Sequence, residues 1–242
     1  MATTFYPANL QWLGIKKELL PGTAETAPDT WIPVKSPKWE PVIGQNMDDA
    51  LRGSMGKDFE QIPDMQHSKV NYTTFPYMDS VYQHFLALLG TADAITGSAD
   101  PYTHKTAMYN GSGTDSAQPP SYTLFYADAT GKARSVPGAK IGSLKLVVKA
   151  GALAQIDVEW IGLFGTAITA PTNTPTALAP WPSWNSTFTV GGVAATNYSD
   201  ITLDYKRATE AIPAITGTQD PYGIYGGEVS GSADLTAIFQ GD

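Results

Sequence analysis

Cysteine is absent from the 242 residues. That excludes disulfide staples and thiolate metal sites, and leaves the redox compartment open. Charge is scarce: Asp, Glu, Lys and Arg make up 16% of the chain, against 42% hydrophobic residues. So few charges leave apolar surface to be covered, and the composition predicts self-association. Basic charge is the scarcer sign, with 15 Lys and Arg against 23 Asp and Glu and a net charge of −8. Both halves of the chain are acidic and neither forms a basic pole, so repulsion from phosphate is expected rather than attraction. Histidine occurs three times, at His67, His84 and His104, far apart and without metal-ligand spacing.

No apolar run approaches the ~20 residues of a membrane span. The first residues, MATTFYPANLQWLGIKK, lack a basic segment followed by an apolar one, so synthesis and folding in the cytoplasm are expected. No phosphate loop, dinucleotide fingerprint or G-x-S-x-G motif occurs. Asp157 and Glu159 sit two apart like a paired-carboxylate site, but a solvated strand face accounts for them better. No enzyme and no cofactor is expected.

What the chain does contain is alternation. With 23 Gly and 18 Pro, many at turn positions, it reads as many short strands. The clearest stretch is Ser143 to Gly162. Leu144, Leu146 and Val148 point one way, and Lys145 and Lys149 the other. After a turn at Ala150-Gly151, Ile156, Val158 and Trp160 face in while Gln155, Asp157 and Glu159 face out. Period-two alternation of this length predicts a half-buried antiparallel hairpin. The same pattern places Asp204 on the outer face of 201–207, with Lys206, and Asp234 on the outer face of 228–239. One helix is expected over 77–90, with Met78, Val81, Tyr82, Phe85, Leu88 and Leu89 inward and Gly90 as its stop.

Residues 1–40 read as an extended, irregular arm, because five prolines from Pro21 to Pro41 interleave with Trp12, Trp31 and Trp39. Large aromatics on such an arm dock either on their own domain or on a neighbouring subunit. Residues 47–67 read as a long loop. Residues 167–182, rich in Thr, Ala and Pro, read as a linker crossing the fold within a single domain over 1–242.

Three segments carry a family resemblance: WLGIKKELLPGTAETAPDTWIPVKSP, QPPSYTLFYADATGKARSVPGAKIGSLKLVV and ITLDYKRATEAIPAITGTQDPYGIYGG. Their order resembles the major tail tube proteins of long-tailed, non-contractile bacteriophages. The resemblance covers nearly the whole chain. It implies an all-β sandwich or barrel with one flanking helix, assembled as stacked homo-hexameric rings in the virion tail. The implied partners are the tape measure protein and duplex DNA in the lumen, and tail terminator and distal tail proteins at the ends, with no membrane. Four strands from each of six subunits, ~4.8 Å apart and tilted ~40°, would close to a backbone diameter of roughly 45–50 Å.

Within that picture the lumen-facing candidates are Lys145, Lys149, Gln155, Asp157, Glu159, Asp204 and Asp234. The subunit-interface candidates are Trp12, Trp31, Trp39, Asp48, Asp49, Arg52 and Asp58, with 47–67 expected between rings. The alternative is a carbohydrate-binding β-sandwich, a receptor-binding or capsid-decoration module, in which Trp181, Trp184 and Tyr198 would stack on sugars. Their Pro-rich surroundings make buried anchors the expected role.

Overall fold

The computed structural model describes residues 7, 10–50, 60–90, 94–97, 102–108, 118–194, 196–215 and 217–238. In chain order the elements are β1 (Trp12–Lys17), β2 (Thr30–Ile32), β3 (Val34–Asp48), β4 (Glu60–Thr74), α1 (Val81–Leu89), β5 (Ala94–Thr96), β6 (Thr103–Lys105), β7 (Tyr122–Ala127), β8 (Ala133–Lys149), β9 (Gln155–Gly162), β10 (Thr166–Ile168), β11 (Thr189–Val190), β12 (Val193–Ala194), β13 (Tyr198–Ile212) and β14 (Gly223–Ala237). The fold is all-β with one α-helix, as expected. No helix among the described residues is long and apolar enough to cross a membrane.

Strand β8 joins two sheets. Its first half pairs with β7 and β10, and β7 continues to β1 and β2. Its second half pairs with β9 on one side and β13 on the other, giving the order β14-β13-β8-β9-β4-β3. All these pairs are antiparallel. The Val136-Pro137-Gly138 stretch, which looks like a break in the sequence, lies inside β8. Gly138 takes φ +65°, and its N–H leaves the ladder to donate to the buried carboxylate of Glu18 at 2.7 Å. The register of β7 against β8 shifts nearby, so this is a bulge that bends one long strand between two sheets.

Leu13, Ile15, Tyr122, Leu124, Val136, Leu144, Ile156 and Trp160 fill the core at the join. Helix α1 packs on β8 and buries His84, Leu86, Ala87 and Leu88. Gly90 ends it at φ +99°, with its N–H on the carbonyl of Leu86. The buried face is therefore rotated from the expected one: Met78 is 46% exposed, and His84 faces in. Apolar counting along 77–90 passes over a histidine that is buried because it has a hydrogen-bond partner.

The arm reading is corrected by the structure, because residues 1–40 hold β1, β2 and the start of β3. Pro37 and Pro41 are tolerated because, among the described residues, β3 pairs with β4 alone, leaving its other side as an edge. A bulge between Lys35 and Lys38 also skips a rung there, with Ser36 at φ +48°. The loop reading of 47–67 is corrected too. Asp48 pairs with Glu60, and β4 is continuous from Glu60, so this segment is a long hairpin whose tip lies outside the described residues. Strand β14 begins at Gly223, in the Asp220-Pro221-Tyr222-Gly223 stretch. Residues 169–181 have almost no regular structure and lead to the β8–β9 hairpin, where Leu153 bridges Pro182.

Candidate functional site

One face of the β14-β13-β8-β9-β4-β3 sheet is polar across all six strands. It follows from cross-strand register, since residues paired in adjacent strands share a face. Asp204 lies opposite Lys145, and Lys145 opposite Asp157, which faces Thr73. One rung along, Lys206 lies opposite Ser143, then come Glu159, Asn71 and Lys38. Toward the hairpin turn, Asp200 faces Lys149, and Asp234 faces Thr202. The seven lumen-facing candidates, Lys145, Lys149, Gln155, Asp157, Glu159, Asp204 and Asp234, thus fall on one surface. The expected turn is present as well, with Gly151 at φ +74°.

The face is a shallow trough lined by Ser36, Lys38, Asn71, Thr73, Ser143, Lys145, Asp157, Glu159, Asp204 and Lys206. Its side chains tie to one another. Thr73 donates to Asp157 Oδ1 at 2.6 Å, and Gln155 Nε2 donates to the same oxygen at 3.1 Å. Lys38 reaches Glu40 at 2.9 Å, and Lys206 lies 3.7 Å from Asp204. These are exposed or half-exposed pairs, so they set local geometry more than stability.

Counting by register changes the charge balance. The seven candidates hold four carboxylates and two ammonium groups. Register adds Glu40 and Asp200 but also Lys35, Lys38, Lys69 and Lys206. Acidic and basic groups are then nearly equal and alternate from strand to strand. Lys38 was missed because its segment read as arm, and Lys69, Asn71 and Thr73, beyond the 47–67 loop, because nothing local ties them to the face of β9. The alternation Lys69, Asn71, Thr73 was nonetheless there to be read.

Behind this face the sheet is held by buried polar contacts. The indole of Trp160 donates to Tyr72 Oη at 2.9 Å. Tyr72 in turn lies 2.9 Å from Nε2 of His84. Tyr72 accepts from Trp160 and shares a second hydrogen bond with His84 Nε2, whose imidazole is neutral in the fold. Burial holds His84 down at about 4 and pushes the Tyr72 phenol far above its usual range. His84 is therefore a core residue and not a ligand, and no group of three or more metal-binding side chains occurs among the described residues.

The interface candidates are dispersed. Trp12 and Trp31 meet edge-to-face, with ring centroids 5.0 Å apart. Trp39 packs on Phe164 and lies under Arg134, with its indole N–H on Ser68 at 3.1 Å. All three remain partly exposed beside these contacts within their own chain. Asp48 and Asp49 lie at the open end of β3, and Arg52 and Asp58 lie outside the described residues. Of the aromatics weighed for sugar stacking, Trp181 and Tyr198 are partly buried. Trp184 is 80% exposed, so the expected anchor role fails for it.

The two ends of the sheet are open. Among the described residues β14 pairs only with β13, and β3 only with β4. Leu235 in the outer half of β14 and Ile238 just past its end are exposed. The sheet thus has one wet, charge-balanced face and, among the described residues, two unpaired edges. No curated protein matched the chain. The family described as phage tail tube protein matches residues 9–242, and the chain belongs to that family.

Proposed function

We propose that this member of the phage tail tube family is a structural component of the tail that assembles into a tube. We propose that six copies close into a ring, that rings stack, and that the polar face of β14-β13-β8-β9-β4-β3 lines the channel through which genomic DNA passes. The observation that carries this is the face itself: long, polar on all six strands, and open at both edges. Unpaired strand edges are templates for pairing with another chain. Six subunits lending four to six strands each, ~4.8 Å apart and tilted ~40°, close to a wall of roughly 48–72 Å between backbones. Either value leaves room for a duplex after ~10 Å of side chains.

The charge pattern supports passage rather than binding. Alternating signs leave no row of cations to hold phosphates, and the acidic chain as a whole repels them. The tape measure protein would occupy the same bore before DNA does. Tail terminator and distal tail proteins would cap the ends. The partly exposed Trp12, Trp31 and Trp39, and the β3–β4 hairpin with Asp48, Asp49, Arg52 and Asp58, serve contacts between copies, the hairpin mainly between rings.

Electron micrographs of the purified protein test this reading. Rings or tubes with six-fold symmetry support it. Monomers that bind glycan through the exposed Trp184 would support a carbohydrate-binding module instead.

A further inference from the structure

Along β8 from the channel-lining candidates, past the register shift between Ile141 and Ser143, a pocket of about 270 Å³ opens to solvent. Pro21, Gln118, Ser121, Lys140, Tyr222 and Tyr225 line it. Lys140 is only 6% exposed. Its ammonium donates to Gln118 Oε1 at 2.7 Å, and it has no carboxylate partner within ion-pair distance among the described residues. That oxygen also accepts from the Gly226 N–H at 2.9 Å. An ammonium has three donors, so most of Lys140's capacity is unused in a place water reaches poorly. Ser121 is 4% exposed, and its Oγ has no partner.

Glu18 attracts Lys140 only from beyond ion-pair distance. The oxygens of Glu18 are taken by Thr123, Gly138 and Gly22 at 2.7 to 2.8 Å. Burial, and then the positive charge of nearby Arg207, bring Lys140 down to about 8 against the opposing pull of Glu18. Around this polar floor the rim is apolar and exposed. Tyr222 is 78% exposed and Tyr225 44%, and Leu19 and Leu20 beside Pro21 are 88% and 68% exposed. A buried cation lacking its counter-charge, ringed by exposed aromatic and aliphatic side chains, has the anatomy of a docking pocket. The chain is acidic overall, with 23 Asp and Glu, so a second copy supplies the missing charge readily.

We propose that this pocket receives a carboxylate side chain from a second copy of this chain, which ion-pairs with Lys140 and hydrogen-bonds to Ser121 while Leu19, Leu20 and Tyr222 are covered. The proposal rests on the tube-forming reading and names a contact within it. Removing one partner of a desolvated charge pair acts strongly on dissociation.

The test is self-association of the full chain by sedimentation velocity. Lys140→Glu should weaken it by about tenfold or more, and Lys140→Met by less, in protein whose thermal transition is retained. For wild type, sodium acetate should weaken association more than sodium chloride at equal ionic strength. Folded Lys140 variants that associate like wild type would overturn the pocket alone and leave the tube reading standing. If the variants do not fold, acetate acting no differently from chloride overturns it. Acetate that binds without changing association would mark a site for free carboxylates and contradict the second-copy assignment. A wild-type chain that stays monomeric removes both readings.

Discussion

Arg207 grips the carbonyl of Leu88 with two guanidinium nitrogens, Nε at 3.0 Å and Nη2 at 2.6 Å. Leu88 lies at the C-terminal end of α1, where carbonyls lack helical partners and the helix dipole is negative. The third contact, Nη1 to Gly227 at 3.0 Å, ties the same side chain to β14. One buried arginine thus joins the helix to the β13–β14 hairpin, on an element whose other face is proposed to meet the channel. Arg207→Ala should destabilise the fold by about 3 kcal/mol, since buried carbonyls lose a charged donor. Arg207→Lys should recover only part of that, because an ammonium lacks the planar fork. Urea unfolding midpoints at constant m-value check both.

The His84–Tyr72–Trp160 chain predicts an acid-sensitive core. His84 is neutral in the fold and held at about 4; in the unfolded chain it titrates near ~6.5. The unfolded state therefore takes up the proton first. The stability from keeping this histidine neutral is fully present above pH ~6.5 and is lost as pH falls toward 4, by about 3 kcal/mol over that window. Unfolding measured at pH 7 and at pH 4.5 should show the loss. His84→Gln should flatten the slope in that range even though it lowers stability at pH 7. Equal slopes in the two proteins would place the acid sensitivity elsewhere.

Two glycines are fixed by space rather than by turns. A Cβ on Gly162 would stand 2.6 Å from Val136 Cγ1 and 3.1 Å from the carbonyl of Pro137. A Cβ on Gly14 would stand 2.6 Å from Pro28 Cβ. Gly162→Ala should cost about 1–3 kcal/mol through overpacking between the end of β9 and the bulge of β8. Gly131→Ala, in open space but at φ +79°, should cost about 1 kcal/mol through backbone strain alone. Thermal melts of the two variants separate the mechanisms.

Residues 183–242 should not fold alone. The β13–β14 hairpin is completed by β8, to which β13 pairs from Asp200 to Lys206, and an isolated hairpin is marginal in water. The fragment should show no cooperative thermal transition. A sharp transition would make the segment after residue 182 a domain of its own.

The central hairpin was legible because alternation, a glycine turn and a charged outer face all agree over 143–162. Gly90 was legible for the same reason: its position after an apolar helical face gives it one role. The sheet's other half was not. Pro37 and Pro41 argue against a strand, and only the edge position and the bulge at Ser36 reconcile them with β3. The channel-face candidates came from strands that alternate visibly. Lys69 and Thr73 alternate visibly too, but their place on that face came only through register with β9, and that of Lys38 through register with β4. Lys140 looked like any other lysine, because what sets it apart is the burial created by Tyr222, Tyr225 and Gln118 from distant parts of the chain.

Reversing charge on the proposed channel face should alter DNA passage. Asp157→Lys with Glu159→Lys turns a balanced strip cationic by about four charge units per subunit, repeated around each ring. Virions carrying this tail should eject DNA slowly, with a steep dependence on salt from new phosphate contacts. Normally assembled tails that eject fast and independently of salt would place the face outside the bore.

A cryo-electron microscopy reconstruction of the assembled tube tests the central claim most directly. The account predicts rings of six with Lys145, Asp157 and Asp204 pointing at the tube axis and β14 paired to an adjacent copy. Tubes in which those three side chains point outward to bulk solvent, or into a subunit interface, would contradict it.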